Sequence, residues 1–205
     1  MRGRKAPPAK KPKLAAPEDE PSARDRLLAA AGDLFYHRGI RPVGVDEVVA
    51  AADVAKMSLY RSFASKDELA AAYLRRRDAL YWQAWDEVAE RHPGAPAAQL
   101  VAQFRALARK TARAGWRGCP FTNAATEFPE PDNPARQVAE ANKRELRRRL
   151  RDLAREAGAR DPDGLADQLV LLFEGAYASA QTFGANGPAK AVADAAEALL
   201  AAQLD

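Results

Sequence analysis

Apolar residues recur every three or four positions along most of the chain, a period that predicts amphipathic α-helices. Ser22 and Asp25 have capping-box spacing before the first such run, so ordered structure is expected to begin there. Ser65 and Glu68 repeat that spacing before a long run that ends near the sequence HPGAP. The four predicted helices of this half run from Ser22 to Gly39, from Gly44 to Ala52, from Lys56 to Phe63 and from Ser65 to about Arg91.

Proline at the first helical position marks the helix starts of the second half. No stretch alternates apolar and polar residues with the period of a strand, and β-branched residues are too sparse to build a sheet. We therefore predict an all-α fold of about nine helices. The marked starts are Cys119 or Gly118 before Pro120, Asn133 before Pro134, Asp161 before Pro162 and Gly187 before Pro188.

The chain of 205 residues is long enough to bury a core without a disulfide or a structural metal. Cys119 is the only cysteine, and His37 and His92 are the only histidines, so we expect no metal site and no cofactor. No apolar run approaches the roughly 18 residues of a membrane span, and no signal-peptide core follows the basic N-terminus. These features predict a cytoplasmic protein without a membrane partner.

Charge is distributed unevenly along the chain. Residues 1–80 contain 16 Lys and Arg against 11 Asp and Glu, whereas the remainder contains 16 against 17. A basic front part is typical of a protein that binds a polyanion. Residues 1–21 are rich in Pro, Lys and Arg and predict a disordered tail, whose charges either follow DNA or only add solubility. The Arg-rich sequence NKRELRRRLRDLAREAGAR spaces its charges along helix faces and is interpreted as a solvated, partly paired surface.

The second and third predicted helices are short and separated by a tight turn at Asp53, the pattern of a helix-turn-helix. Asp tolerates the left-handed backbone of such a turn better than most residues with a Cβ atom. Leu59 and Phe63 lie four positions apart and are expected to face inward. A small packed helix with a solvated face would show the same spacing. The residues left on the outward arc are Lys56, Met57, Ser58, Tyr60, Arg61 and Ser62.

The sequence LFYHRGIRPVGVDEVVAAADVAKMSLYRSFASKDELAAAYL resembles the N-terminal domain of TetR-type (TetR/AcrR) transcriptional regulators. This resemblance favours DNA binding over the purely structural interpretation. It implies phosphate contacts from Tyr60 and Lys66. On the outward arc, Lys56, Met57 and Ser58 are the candidates for contacts to base edges. The shared positions are Phe35, Gly39, Val45, Ala52, Val54, Leu59, Tyr60, Phe63, Lys66 and Leu69.

The sequence departs from the family pattern at the start of the third helix. Asp53 stands where the family usually has Gly, and Ala55 stands where it usually has Ser or Thr as N-cap. Losing that cap is expected to cost about 1 kcal/mol of helix stability. The predicted DNA-binding residues are Gly44, Lys56, Met57, Ser58, Tyr60, Arg61, Ser62 and Lys66.

The resemblance also implies two domains after the tail. Residues 22–68 would form a helix-turn-helix DNA-binding domain, and residues 69–205 a helical domain for effector binding and dimerisation. A homodimer is implied because one recognition helix buries too little surface for specific binding, whereas two match a near-palindromic operator. The predicted dimer residues lie on the last two helices and are Leu165, Leu169, Leu172, Ala176, Val192, Ala196 and Leu199.

TetR-type regulators carry an effector pocket between their middle helices, so aromatic residues of the second half are candidates for its lining. The segment GWRGCPFTNAATEFPEPDNP also resembles a Gly-Cys-x-x-x-Asn-x-x-x-Glu segment of one subset of the family. Cys119 would then lie at a helix N-terminus beside Arg117, two features that stabilise a thiolate. The plain alternative is a small buried apolar side chain. The predicted pocket residues are Trp85, Phe104, Trp116, Cys119, Phe121, Asn123, Phe173 and Tyr177.

The sequence therefore predicts a ligand-responsive transcriptional regulator, most often a repressor in this family, that a small-molecule effector releases from double-stranded DNA. Two alternatives remain: a ligand-independent, architectural DNA-binding dimer, and a thiol-based sensor of oxidants or electrophiles that acts through Cys119. An enzyme is not expected, because the sequence has no phosphate-binding glycine loop, no nucleophile motif and no metal cluster.

Overall fold

The computed structural model describes residues 21–204, which form nine α-helices and no β-strand, so the predicted fold class is confirmed for this range. The predicted tail, residues 1–21, lies outside the described residues except for its last position. The helices are α1 (Ala23–Arg38), α2 (Val45–Ala52), α3 (Lys56–Ser62), α4 (Lys66–Ala89), α5 (Pro96–Thr111), α6 (Pro120–Glu127), α7 (Pro134–Glu156), α8 (Pro162–Phe183) and α9 (Val192–Ala201).

Side-chain caps fix most of the helix starts that the sequence marks. The hydroxyl oxygens of Ser22 and Ser65 each accept a backbone N–H three residues later at 3.1 Å. Asn133 and Asp161 cap α7 and α8 with their side-chain oxygens. Each cap satisfies an amide that has no partner inside the helix.

The predicted helix start at Gly187 is wrong. Pro188–Ala191 form one turn of 3-10 helix, in which the Lys190 amide donates to the Gly187 carbonyl oxygen at 3.3 Å. The α-helical bonds begin only at Val192. Proline at a first helical position suits both helix types, so the sequence signal does not distinguish them.

Helices α1 to α3 form a three-helix unit around a small apolar core. Leu59 is 0% exposed and Phe63 is 5% exposed, which confirms that both face inward. The turn between α2 and α3 contains Asp53, whose φ of 49° and ψ of 55° are left-handed. Among the described residues other than glycine, Asp53 alone has a positive φ. The other buried residues of this unit are Leu27, Leu28, Ala31, Phe35, Ile40, Val43, Val48 and Ala52.

Helix α4 joins the three-helix unit to the rest of the chain without a break. Its residues 69–74 are six consecutive buried positions, so the helix is covered on every side there. The Tyr73 ring packs edge-on against Phe35 of α1, with 5.9 Å between centroids, and burial raises the pKa of Tyr73 to about 12. The predicted boundary at 68/69 therefore falls inside a helix that both parts share.

Helices α5 to α9 pack around a second core, whose centre includes Phe104, Leu150, Leu169 and Phe173. All seven arginines of α7 form ion pairs with carboxylates of the same helix or of α4 and α8. These pairs are the solvated, partly paired surface that the charge spacing predicted. They include Arg144 with Glu140, Arg147 with Asp163 and Asp167, Arg148 with Glu145 and Asp152, and Arg149 with Asp86 and Glu145. Within residues 21–204 no helix is long and apolar enough to cross a membrane.

Candidate nucleic-acid interface and ligand cavity

The outer face of α3 carries large exposed side chains on a helix of only seven residues. Met57 is 66% exposed and Tyr60 is 50% exposed, and both belong to the few large apolar or aromatic residues left in solvent. Lys56 and Arg61 are exposed beside them. Four of the six predicted outward residues are therefore fully available for contact, while Ser58 and Ser62 are half-buried at the edge of the face.

Weak surface contacts hold the polar side chains of this face. The Lys56 ammonium lies 2.6 Å from an Asp46 carboxylate oxygen, and the hydrogen bond that it donates to Asp46 raises the pKa of Lys56. Arg61 folds back onto the Met57 carbonyl oxygen and the Ser58 hydroxyl, both at 3.3 Å. Exposed pairs of this kind contribute little to stability and are screened by salt. A DNA phosphate can therefore replace them.

Two residues that are predicted to contact the DNA backbone lie at neighbouring helix starts. The Gly44 amide donates to the Glu47 carboxylate at 3.0 Å, and this bond, with the Arg38 side chain second, lowers the pKa of Glu47. Lys66, the first residue of α4, is half-buried and donates from its amino group to the Arg41 carbonyl oxygen at 2.9 Å. Helix N-termini attract anions, so this edge suits phosphate.

An aromatic cavity with two adjoining lobes lies in the second core. The first lobe, of about 70 Å³, is bordered by α4, α5 and α8. The second, of about 110 Å³, extends towards α6. Both lobes share Tyr81, Ala84, Lys110 and Tyr177. The remaining lining residues are Trp85, Gln103, Ala106, Leu107 and Phe173 in the first lobe, and Arg77, Leu80, Trp116, Cys119, Pro120 and Phe121 in the second.

Six of the eight predicted pocket residues line this cavity, and two do not. Phe104 is 0% exposed and packs against Phe173 at 4.6 Å between centroids, so it belongs to the core beneath the first lobe. Asn123 faces a separate groove and donates to the Arg117 carbonyl oxygen at 2.8 Å. The sequence interpretation missed Lys110, although its position three residues after Leu107 places both on one face of α5.

Burial shifts the pKa of the polar groups of the cavity. It raises the pKa of Tyr81 and of Tyr177, whose hydroxyls are neutral donors near pH 7 in any case. It lowers the pKa of Lys110, whose ammonium lies over the rings of Tyr81 and Trp116, 5.2 and 5.8 Å from their centroids. The indole of Trp116 stacks on Tyr177 with 5.7 Å between centroids.

Cys119 borders the second lobe as the N-cap of α6 and is 4% exposed. The cation that contacts its sulfur is Lys143, at 3.3 Å, and not the neighbouring Arg117 that the sequence suggested. Lys143 also forms an ion pair with Glu174, whose second oxygen accepts from Thr122 at 2.8 Å. Among the described residues, no group of three or more His, Cys, Asp or Glu is arranged to hold a metal ion.

Comparison with known proteins agrees with this architecture. Residues 27–73 match the family model for bacterial regulatory proteins of the tetR family, and residues 94–196 match the model for the tetracyclin repressor-like C-terminal domain. The transcriptional regulator AcuR of Cereibacter sphaeroides is 30% identical over 182 residues, which are 83% of each chain. The chain belongs to the TetR family of transcriptional regulators. Its helix-turn-helix therefore binds DNA, and like other members of the TetR family it is not an enzyme.

Solved structures of TetR-family members superpose on most of the chain. SCO4454, a TetR-family transcriptional regulator from Streptomyces coelicolor, gives a TM-score of 0.85 at 31% identity and covers 89% of this chain and 96% of its own. The reduced form of Escherichia coli NemR gives a TM-score of 0.73 at 21% identity over 89% of this chain and 98% of its own, and so shares the fold. NemR, an HTH-type transcriptional repressor, is 31% identical over 86 residues, or 42% of this chain and 43% of NemR.

Most of the residues predicted for the dimer interface face the core of their own chain. Five of the seven predicted residues are at most 5% exposed in the single chain, because the apolar stripes of α8 and α9 fill its own core; they are Leu165, Leu169, Ala176, Val192 and Ala196. Leu172 and Leu199 are half-buried. The opposite face of α8 exposes Leu171 at 71%, together with Gly175 and Ala178.

Helix α6 and the segment before it each form a hydrogen bond with the DNA-binding unit. The Arg41 amide, in the turn between α1 and α2, donates to the Glu127 carboxylate at 2.7 Å. The Tyr36 hydroxyl of α1 accepts from the Arg117 amide at 3.1 Å, in the segment that precedes α6. Helix α6 therefore has one end at the cavity, near Phe121, and the other end at the helix-turn-helix.

Proposed function

We propose that this TetR-family chain is a ligand-responsive repressor, which binds a near-palindromic operator as a homodimer and is released by a small-molecule effector. The observation that carries the proposal is that the cavity is built on the helices that hold the DNA-binding unit. Helix α4 begins at Lys66, beside the recognition helix α3, and supplies Tyr81 and Trp85 to the cavity. Helix α6 runs from the cavity to the Glu127–Arg41 contact.

An effector acts on this arrangement through a shift between two states of the chain. It must bind better to the state in which the two recognition helices do not match the half-site spacing, since equal binding to both states shifts nothing. A ligand that enlarges the aromatic cavity displaces Trp85 or Phe121, and hence α4 or α6. Both helices are attached to the DNA-binding unit, so a displacement changes the orientation of α3.

The exposed face of α8 supports the homodimer. Leu171 is 71% exposed and shares the outer face of α8 with the exposed Gly175 and Ala178. Gly175, one turn later, has no atom within 4 Å of the position that a Cβ would occupy. Small residues at Gly175 and Ala178 allow a second α8 to approach closely. We propose these residues as the centre of the dimer interface, in place of the buried stripe.

DNA binding on this proposal uses Tyr60, Lys66 and the amides near Gly44 for phosphate, and Lys56, Met57 and Ser58 for base edges. The test is a mobility-shift titration on the DNA upstream of the chain's own coding region, at several salt concentrations. Tyr60→Ala and Lys66→Ala should weaken binding to all sequences, and Lys66→Ala should reduce the salt slope by about 1. Lys190→Ala, which removes an exposed lysine far along the chain, is the control. If neither substitution changes the mobility-shift titration, the assignment of Tyr60 and Lys66 to phosphate is wrong.

Effector response separates this proposal from the ligand-independent, architectural alternative. A compound that stabilises the chain against heat should also lower its affinity for the operator, because the state that binds the compound is not the state that binds DNA. An architectural dimer would bind DNA equally with and without such a compound. Dimerisation is measured separately by sedimentation at micromolar concentration, where Leu171→Glu should give monomers.

The Lys143–Cys119 contact favours a second candidate, a thiol-based sensor. The Lys143 ammonium lies 3.3 Å from the sulfur, and a thiolate is the form of cysteine that reacts with electrophiles and peroxide. Cys119 is nearly buried, so a reagent would reach it through the second lobe of the cavity. If this candidate is correct, peroxide or an electrophile releases DNA from the wild type and not from Cys119→Ser. Equal release from both proteins rules it out.

A further inference from the structure

The aromatic cavity contains cations and lacks a balancing anion among its walls. Lys110 borders both lobes, and Arg77 borders the second. Neither lobe has an Asp or Glu among the described residues that line it. Glu174 is the carboxylate that lies nearby, and it is engaged by Lys143 and Thr122. The charge of the lining is therefore positive, in a wall otherwise made of aromatic and aliphatic side chains.

Lys110 is held only by weak partners for a charged group in such surroundings. Its ammonium lies over the faces of Tyr81 and Trp116, and cation–π contacts offset burial less well than a carboxylate does. Burial lowers the pKa of Lys110, which is the direction expected for an amine without a nearby anion. A ligand that brought a negative charge to this position would remove the penalty of burying Lys110.

A second donor in the same lobe also lacks an acceptor. The Trp116 indole nitrogen, Nε1, is the one buried side-chain nitrogen or oxygen of the described residues that has no hydrogen-bond partner. Leaving a buried donor unpaired is costly, and native structures contain few such groups. Lys110, from α5, and Trp116, from the segment before α6, therefore provide two donors among the residues that line the second lobe.

The volume of the cavity limits the size of the apolar group that an anionic ligand can carry. The lobes measure about 70 and 110 Å³ and meet at four shared residues. An apolar cavity of about 150 Å³ holds one benzene ring. The ligand is therefore about the size of a single ring or a short aliphatic chain. The rings of Trp85, Phe173 and Tyr177 provide its apolar surroundings.

From these observations we propose that the effector is a small apolar monocarboxylate, whose carboxylate lies against Lys110 and whose ring or chain packs on Trp85, Phe173 and Tyr177. This inference rests on the proposed function, in which the cavity is the effector site, and it specifies the chemical class of the effector. Arg77, which lines the second lobe, strengthens the attraction. The Trp116 indole N–H supplies a neutral donor to the anion or to another oxygen of the ligand.

The test compares two probes of equal shape, benzoate and benzamide, on the full chain. Binding is followed by calorimetry and by tryptophan fluorescence, to which the cavity residues Trp85 and Trp116 contribute. We expect benzoate to bind at least about tenfold more tightly than benzamide, because charge-assisted hydrogen bonds are roughly twice as strong as neutral ones. Lys110→Gln should abolish this preference, and Lys190→Gln, at an exposed site, should leave it unchanged.

A second variant covers the case in which Lys110→Gln fails to fold. Trp116→Phe keeps the aromatic wall and removes the N–H, so it should weaken benzoate binding severalfold while leaving the preference over benzamide. The proposal is overturned by equal binding of the two probes, or by a preference that survives Lys110→Gln. It is also overturned if benzoate and butyrate both show no saturable binding up to about 10 mM. At that concentration even a site with a binding free energy of only a few kcal/mol is occupied.

The outcomes also distinguish the failure of this inference from that of the proposed function. Benzoate binding that depends on Lys110, without any change in operator affinity, supports the anion site and rejects a cavity that controls DNA. Release of DNA by neutral aromatic compounds, with no preference for a carboxylate, supports the ligand-responsive regulator and rejects the anion site.

Discussion

Helix α3 lacks a side-chain cap, and Ala55→Ser should supply one. Ala55 has φ of −68° and ψ of 141°, close to the φ of −57° and ψ of 157° of Ser22, which caps α1 through its hydroxyl. A serine at position 55 needs no change of backbone to place its oxygen near the Ser58 amide. Ala55 is exposed, so the added hydroxyl meets no apolar wall.

The expected gain is at the lower end of the usual capping range. Ser58 already donates its amide to the Ala55 carbonyl oxygen at 2.8 Å, so the hydroxyl shares a donor that has a partner. We therefore expect about 0.5–1 kcal/mol rather than the 2 kcal/mol of the strongest caps. For a chain of this length, that gain raises the melting temperature by about 1–4 °C. If α3 must be ordered before DNA binds, operator affinity rises by up to about fivefold.

Thermal and denaturant unfolding of three variants tests this reasoning. Ala55→Gly should recover part of this gain, since glycine at an N-cap is only a few tenths of a kcal/mol less favourable than serine. Ala51→Ser, at an exposed position in the last turn of α2, should lower stability slightly through helix propensity. The capping argument is refuted if Ala55→Ser is no more stable than the wild type.

Three further predictions concern the interdomain contact, the dimer and the ion pairs of α7. Glu127→Ala should speed hydrogen exchange of the Arg41 amide by about fivefold, because it removes the acceptor; an unchanged rate contradicts the contact. Gly175→Leu should keep or raise helix stability by about 1 kcal/mol yet abolish the dimer, which sedimentation checks; persistence of the dimer excludes this face. Arg148, then Arg149, lower the pKa of Glu145 to about 2. Wild type should therefore exceed Glu145→Gln in stability by about 1 kcal/mol near pH 7. This difference should shrink as the pH falls from about 4.5 to 2, because the unfolded carboxyl then binds more protons; a constant difference contradicts the ion pairs.

Local signals determined how much of the fold could be predicted. The capping serines Ser22 and Ser65, the proline starts, and the spacing of Leu59 and Phe63 all depend on residues within one or two turns. The structure agrees with each of them. The start at Gly187 failed because a proline there permits either an α-helix or a 3-10 turn.

The parts of the candidate site that depend on packing could not be predicted in the same way. A helix fills the core of its own chain with its apolar stripe first, so Leu165 and Leu169 were unavailable for a dimer. The opposite face of α8, with Leu171 and Gly175, has no regular apolar pattern. The contact between Glu127 and Arg41 joins residues 86 positions apart and leaves no local trace. Lys110 was the exception, since its place on the apolar face of α5 was visible in the sequence.

The six buried positions of α4, residues 69–74, make that helix a lever with unequal arms. At 1.5 Å per residue, Trp85 lies about 20 Å from the middle of this segment and Lys66 lies about 8 Å from it, on the other side. A sideways shift of about 1 Å at Trp85 then turns the helix by about 3° and moves Lys66 by only about 0.4 Å in the opposite direction. On the proposed function, an effector in the cavity would therefore change chiefly the angle of the DNA-binding unit and hardly its position.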